Sequence, residues 1–101
     1  MMSSAMIPTQ GSIFFGFEMV EICGARDFIQ AQQEAWDEAE RKRNEPVMMA
    51  WWDREADTCF PSPICGGEPG EALAGYARAK GSDLAISFND EKFVFLFRDN
   101  D

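Results

Sequence analysis

Apolar positions come in short blocks separated by charged or Gly/Pro-rich stretches, and each block has its own period. Over residues 12–22, SIFFGFEMVEI, apolar side chains fall on both sides of an extended chain, the mark of a well-buried strand. CGARDF breaks this run, and Asp27 is placed to cap a helix, with Gln30 completing an Asx-x-x-Gln capping box. Phe28, Ile29, Ala35, Trp36 and Ala39, with Gln32 among them, then recur on one helical face. Acids (Glu34, Asp37, Glu38, Glu40) occupy the outer side, and Arg41, Lys42 and Arg43 close the helix where its dipole favours cations. Pro46 sets the stop near Asn44.

VMMAWWD, residues 47–53, predicts a second strand. A second helix runs from Pro69, a first-turn position, to Gly81, with Ala72, Leu73, Tyr76 and Ala77 as its inner stripe. SDLAISF alternates, placing Leu84, Ile86 and Phe88 on one side. NDEK then supplies turn residues before FVFLFR, so the chain ends in a β-hairpin. The order is β-α-β-α-β-β. It predicts an α+β fold of two layers, with a four-stranded mixed sheet and two helices packed on one face, the first two strands forming a parallel βαβ unit. Residues 1–11 read as a flexible N-terminal arm and residues 12–101 as a single domain.

Two helices on one face leave the other uncovered. Strand residues with large apolar groups on both sides (Phe14 and Phe15, Trp51 and Trp52, Phe95 and Leu96) therefore predict cover by a second copy or by the arm. Phe15, Trp51, Trp52, Phe95 and Leu96 are the candidate interface.

Composition narrows the function classes. The chain has 18 acidic against 9 basic residues, a net charge of −9, which repels phosphate backbones and anionic headgroups, so neither nucleic acid nor membrane is expected as a partner. No apolar run approaches the ~20 residues that cross a bilayer. The N-terminal stretch lacks the charged and apolar regions of a secretory signal, and the reading is cytoplasmic. Histidine is absent, which removes Ser-His-Asp and Cys-His pairs and imidazole ligands.

Cys23, Cys59 and Cys65 are odd in number and fit a reducing compartment better than a disulfide framework. Were the first three strands parallel, their carboxyl ends would share one edge. Cys23, Cys59, Cys65 and Asp53 could then meet there as a thiol or metal site, beside helix starts that offer free N–H groups to an anion. Against this, Cys59 and Cys65 are too widely spaced for a zinc knuckle and the set lacks an obvious fourth ligand, although Asp53 or Asp57 could complete it. A Cys59–Cys65 disulfide is sterically possible across the proline-containing loop. Arg26 and the helix start could lower the Cys23 pKa, but no histidine stands ready to act as its base, and a small hydrophobe at a strand end is the simpler reading. The acids of DREAD, residues 53–57, lack the Gly and Glu that an EF-hand needs at its sixth and twelfth positions, and a solvated loop is expected. No cofactor is predicted.

The reading is a small acidic, non-enzymatic interaction or ligand-binding module, paired with itself or with another protein. Mimicry or inhibition of a basic protein is one form of it, and a thiol-based metal or redox protein is the alternative.

Overall fold

A computed structural model describes residues 3–6, 14, 16–61 and 69–100. The chain folds as α+β, with two helices packed on a mixed open sheet. The elements are β1 (Ser3–Met6), β2 (Glu18–Ile22), α1 (Phe28–Lys42), β3 (Pro46–Asp53), β4 (Thr58–Phe60), α2 (Pro69–Ala79), β5 (Leu84–Phe88) and β6 (Phe93–Asp99). The sheet order is β1-β2-β5-β6-β3-β4, so five strands are extended at one edge by β1. β2 and β5 pair in parallel, and the other neighbours are antiparallel.

The helices and the strands β3, β5 and β6 lie where the periodicities put them, whereas the first strand, expected over residues 12–22, is strand only over Glu18–Ile22; before it Phe14, Gly16 and Phe17 form a turn closed by the Phe17 N–H donating to the Phe14 carbonyl at 3.0 Å. Asp27 accepts a hydrogen bond from the Gln30 backbone N–H at 2.9 Å, and Gln30 Oε1 reaches back to the Arg26 N–H at 3.0 Å, one residue before the cap. At the other end the Arg43 N–H donates to the Ala39 carbonyl at 2.8 Å. Ala31, Ala35 and Ala39 are fully buried, and their small size lets the helix lie close over β5 and β6.

Three further particulars differ from the sequence reading. The sheet has six strands rather than four, because β4 and β1 each add an edge. Ser3–Met6, read as part of the arm, pairs with β2 along Ser3↔Ile22 to Met6↔Met19, and the remainder of that arm lies outside the described residues.

The third difference concerns the layers, since the helices occupy opposite faces of the sheet. On one face α1 covers Val20, Ile22, Leu84, Ile86, Phe88, Phe93, Phe95 and Phe97. On the other, Leu73, Ala74 and Ala77 of α2, with Phe14 and Phe17, cover Met19, Ala50, Ala85, Val94 and Leu96. Strand order supplies the reason. β2 and β3 point the same way but are separated by β5 and β6, so the crossover through α1 moves outward along the sheet, whereas the crossover through α2 moves back from β3 to β5. Crossovers of one hand that travel in opposite directions place their helices on opposite faces.

The apolar pairs on each strand therefore serve two cores. Phe95 and Leu96 are 0% and 2% exposed, one under each helix, and no bare sheet face remains for a second copy to cover there. Under α1 the core is aromatic: Phe28 sits 5.3 Å from Phe95 and 4.9 Å from Trp51, and Trp36 meets Phe97 edge-on at 5.0 Å.

Candidate functional site

The carboxyl ends of β2, β5 and β3 share one edge, as the sequence reading supposed. What occupies that edge is a backbone clasp. β5 turns into β6 through Asn89, Asp90 and Glu91, with φ of 53°, 60° and 69°, a left-handed turn that asparagine and aspartate tolerate better than other non-glycine residues. The Asn89 side chain accepts from the Gly24 N–H at 2.9 Å and donates to the Ala25 carbonyl at 2.7 Å, while its backbone N–H donates to Ile22 O at 3.0 Å. The Asp90 N–H donates to Glu21 at 2.7 Å, and the Glu91 N–H to the buried Ser87 hydroxyl at 2.9 Å. Near the start of α1, three donors are already engaged: Gly24 N–H by Asn89, Arg26 N–H by Gln30, and Gln30 N–H by Asp27.

The structure separates the proposed thiol site. Cys23 is an exposed free thiol just past β2, whereas Cys59 is buried in β4 on the α2 face and is disulfide-bonded. Four strand steps separate β2 from β4, about 19 Å at ordinary sheet spacing. Cys65 lies outside the described residues. The disulfide at Cys59 departs from the expectation of free thiols and removes that sulfur as a thiolate ligand while the bond stands. Asp53, the fourth candidate, is 8% exposed and accepts from the Ala56 N–H at 3.0 Å, which starts the β3–β4 turn. Among the described residues no three Cys, Asp or Glu side chains are grouped to hold a metal ion.

The interface candidates divide between the two sides of the sheet. Phe15 lies outside the described residues, and Phe95 and Leu96 are core. Trp52 faces the α2 side with the Arg54 guanidinium 4.4 Å from its ring. Trp51 faces the α1 side, held between Phe28 and Phe60, the latter stacked at 6.4 Å and 18°.

Around Trp51 the α1-side core runs out to the surface. Phe28, Trp36, Met48 and Trp51 all pack on the core while remaining partly exposed. Ile29 and Phe60, the exposed large hydrophobics among the described residues, stand 68% and 49% accessible. On α1 the spacing i, i+4, i+7, i+11 aligns Ile29, Gln33, Trp36 and Glu40 in one stripe. β4 pairs only with Trp51, Trp52 and Asp53, so no described residue pairs with the outer edge of β3 over residues 46–50. Phe28 of α1, Trp51 of β3 and Phe60 of β4 thus pack in a row as an apolar ledge on the α1 side, with Met48 on the same face of β3.

The opposite edge of the sheet carries an ion cluster that sequence reasoning missed. Arg43, expected only to offset the helix dipole, bonds Asp83 at 3.1 Å and Glu18 at 3.1 Å, and Lys42 reaches Glu18 at 3.1 Å. Partial burial alone would raise the Glu18 carboxyl, but hydrogen bonds and charge from Lys42 and Arg43 outweigh it and hold it below its ordinary range. Burial likewise disfavours the Arg43 cation, and Asp83 and Glu18 reverse that and raise it. This cluster ties the end of α1 to the starts of β2 and β5. The only advance sign of it was a cation next to a chain stop.

None of the curated proteins matches the chain. A crystal structure of a protein described as novel, AF1514 from Archeoglobus fulgidus DSM 4304, is similar in fold, with a TM-score of 0.69 and 22% identity over 84% of this chain and 96% of that one. Residues 20–97, from within β2 to within β6, match the model of a family described as "Domain of unknown function (DUF5619)". With most of its length in that match, the chain belongs to the DUF5619 family.

Proposed function

We propose that this protein is a small acidic, non-enzymatic interaction module, and that its contact surface is the ledge beside α1 rather than a sheet face. The observation that carries this reading is the pair of exposed side chains, Ile29 and Phe60, at the margin of a core whose outer members Phe28, Trp36, Met48 and Trp51 stay partly accessible. Large apolar groups gathered in one place mark contact sites, whereas scattered ones need no explanation. Aromatic residues in a partly desolvated patch are the side chains that dominate protein contacts. A thiol chemistry has less support, since Cys59 is bonded and Cys23 stands at a distant strand end.

The test is in-cell crosslinking of the full chain, with an Ile29→Ser/Phe60→Ser double variant as comparison. Both substitutions fall on exposed side chains and should leave stability within about 0.5 kcal/mol. A protein crosslinked to the wild type and lost from the variant supports the reading. Identical crosslinks from both would place the contact surface elsewhere and end it.

A further inference from the structure

We propose that the outer edge of β3, over residues 46–50, receives an extended basic segment of another protein as an added strand, with alternate side chains lying on the ledge against α1. The inference rests on the ledge being the contact surface and adds the binding mode and the chemistry of the partner.

Geometry gives the mode. β3 is eight residues long and is paired with β6 along its length except at a bulge at Met49, but β4 covers only three residues of its outer side. Pro46 has no N–H to offer, but the outward N–H and C=O groups over residues 47–50 have no described backbone partner, and such an edge is a template for strand addition. A strand laid there would turn every second side chain toward Met48, Trp51 and the Ile29–Trp36 stripe, which are the accessible apolar groups of this side.

Charge selects the partner. Glu40 continues the Ile29–Gln33–Trp36 stripe, Asp37 lies beside it, Glu45 precedes β3 and Asp57 precedes β4; all four residues are exposed, and none forms an ion pair among the described residues. By contrast Arg43 and Lys42 are held by Glu18 and Asp83, and Arg41 by Glu38. With a net charge of −9 on each chain, a second copy would bring like charge to the same ledge, whereas a cationic strand is attracted to it. The Met49 bulge bends the edge, which opposes flat pairing of two folded β3 strands more than docking of a pliable segment.

Two peptide probes with the same number of lysines test this by amide-shift titration of the isotope-labelled full chain. One alternates Lys with Val over about seven residues, long enough to pair with the stretch of β3 that no described residue pairs on its outer side; the other has Gly and Ser in place of Val. The Lys–Val probe should bind at least about tenfold more tightly, a difference of about 1.4 kcal/mol. Its shifts should centre on the amides of Val47, Met48 and Ala50 and the indoles of Trp36 and Trp51. Ile29→Ser and Glu40→Lys should each weaken it several-fold. Equal affinity for the two probes would reduce the effect to general attraction of cations and overturn the proposal. Shifts at the ledge side chains without the β3 amides would overturn strand addition while leaving the ledge as a contact surface. Silence at both would remove the two readings together. A free protein that is dimeric in solution, with the β3 amides already protected from exchange, would make the occupant a second copy and likewise overturn the basic partner.

Discussion

Replacing Asn89 should destabilise the fold more than its surface position suggests. Its side chain joins β5 to the connection between β2 and α1 through two hydrogen bonds, to Gly24 N–H at 2.9 Å and Ala25 O at 2.7 Å, and its φ is 53°. Each hydrogen bond contributes about 0.5 to 1.5 kcal/mol net. Forcing an alanine into the left-handed region costs about 1 kcal/mol more. Asn89→Ala is therefore expected to cost about 2 to 4 kcal/mol, a large share of the 5 to 15 kcal/mol typical of a domain. Asn89→Gly loses the same two bonds but accepts the backbone angle, so it should cost about 1 kcal/mol less than alanine. Urea denaturation followed by tryptophan fluorescence reads both variants, with the slope m unchanged if only the folded clasp is affected. A loss below about 0.5 kcal/mol for Asn89→Ala, the range of ordinary surface substitutions, would refute the clasp as a stabilising feature. Equal losses for Ala and Gly would instead refute the part assigned to the backbone angle.

Glu18 has a folded-state pKa below its ordinary value of 4.5, so the stability it contributes is present above pH 4.5 and is lost as pH falls through the lowered value. The stability difference between wild type and Glu18→Gln, measured by denaturation from pH 7 to pH 3, should hold above that pH and shrink below it; a difference that grows on acidification would contradict the sign. Ala35→Leu should cost about 1 to 3 kcal/mol in thermal or urea unfolding, because Ala35 is fully buried over the sheet and leucine's three extra heavy atoms have no free space to occupy. Phe95→Ala should cost about 3 to 5 kcal/mol, whereas Phe60→Ser, at the exposed edge, should fall within about 0.5 kcal/mol; a similar loss from both would contradict the assigned burial. Cys23→Ser should leave the melting temperature unchanged within the few degrees that about 0.5 kcal/mol represents.

Much of the candidate site could be anticipated in pieces but not assembled. Trp51 and Trp52 were expected on opposite sides from the two-residue period of a strand, and they are. Ile29 was counted with the inner face because it is apolar and next to Phe28, yet a rotation of about 100° per residue puts it 68% exposed. Arg43 carried no mark distinguishing a dipole partner from a bridge, since Glu18 and Asp83 lie 25 and 40 positions away. Cys23 and Cys59 looked convergent only under the assumption that consecutive strands are neighbours.

Local chemistry is what the amino-acid sequence determined by itself. Asp27, Gln30 and the run of cations bounded α1, alternation marked β5, the NDEK turn and an apolar run marked β6, and the apolar content of strands on both faces required that both faces be covered. Each of these depends on contacts within a few residues or on a period along one element. Strand order was decided only in three dimensions. The insertion of β5 and β6 between β2 and β3 reverses the second crossover, and this sends α2 to the far face, seals the expected dimer surface and moves the accessible apolar groups to the edge beside α1. Pairing between distant strands is set by how two faces of side chains pack against two helices at once, a property of the assembled layers that no single stretch of chain encodes.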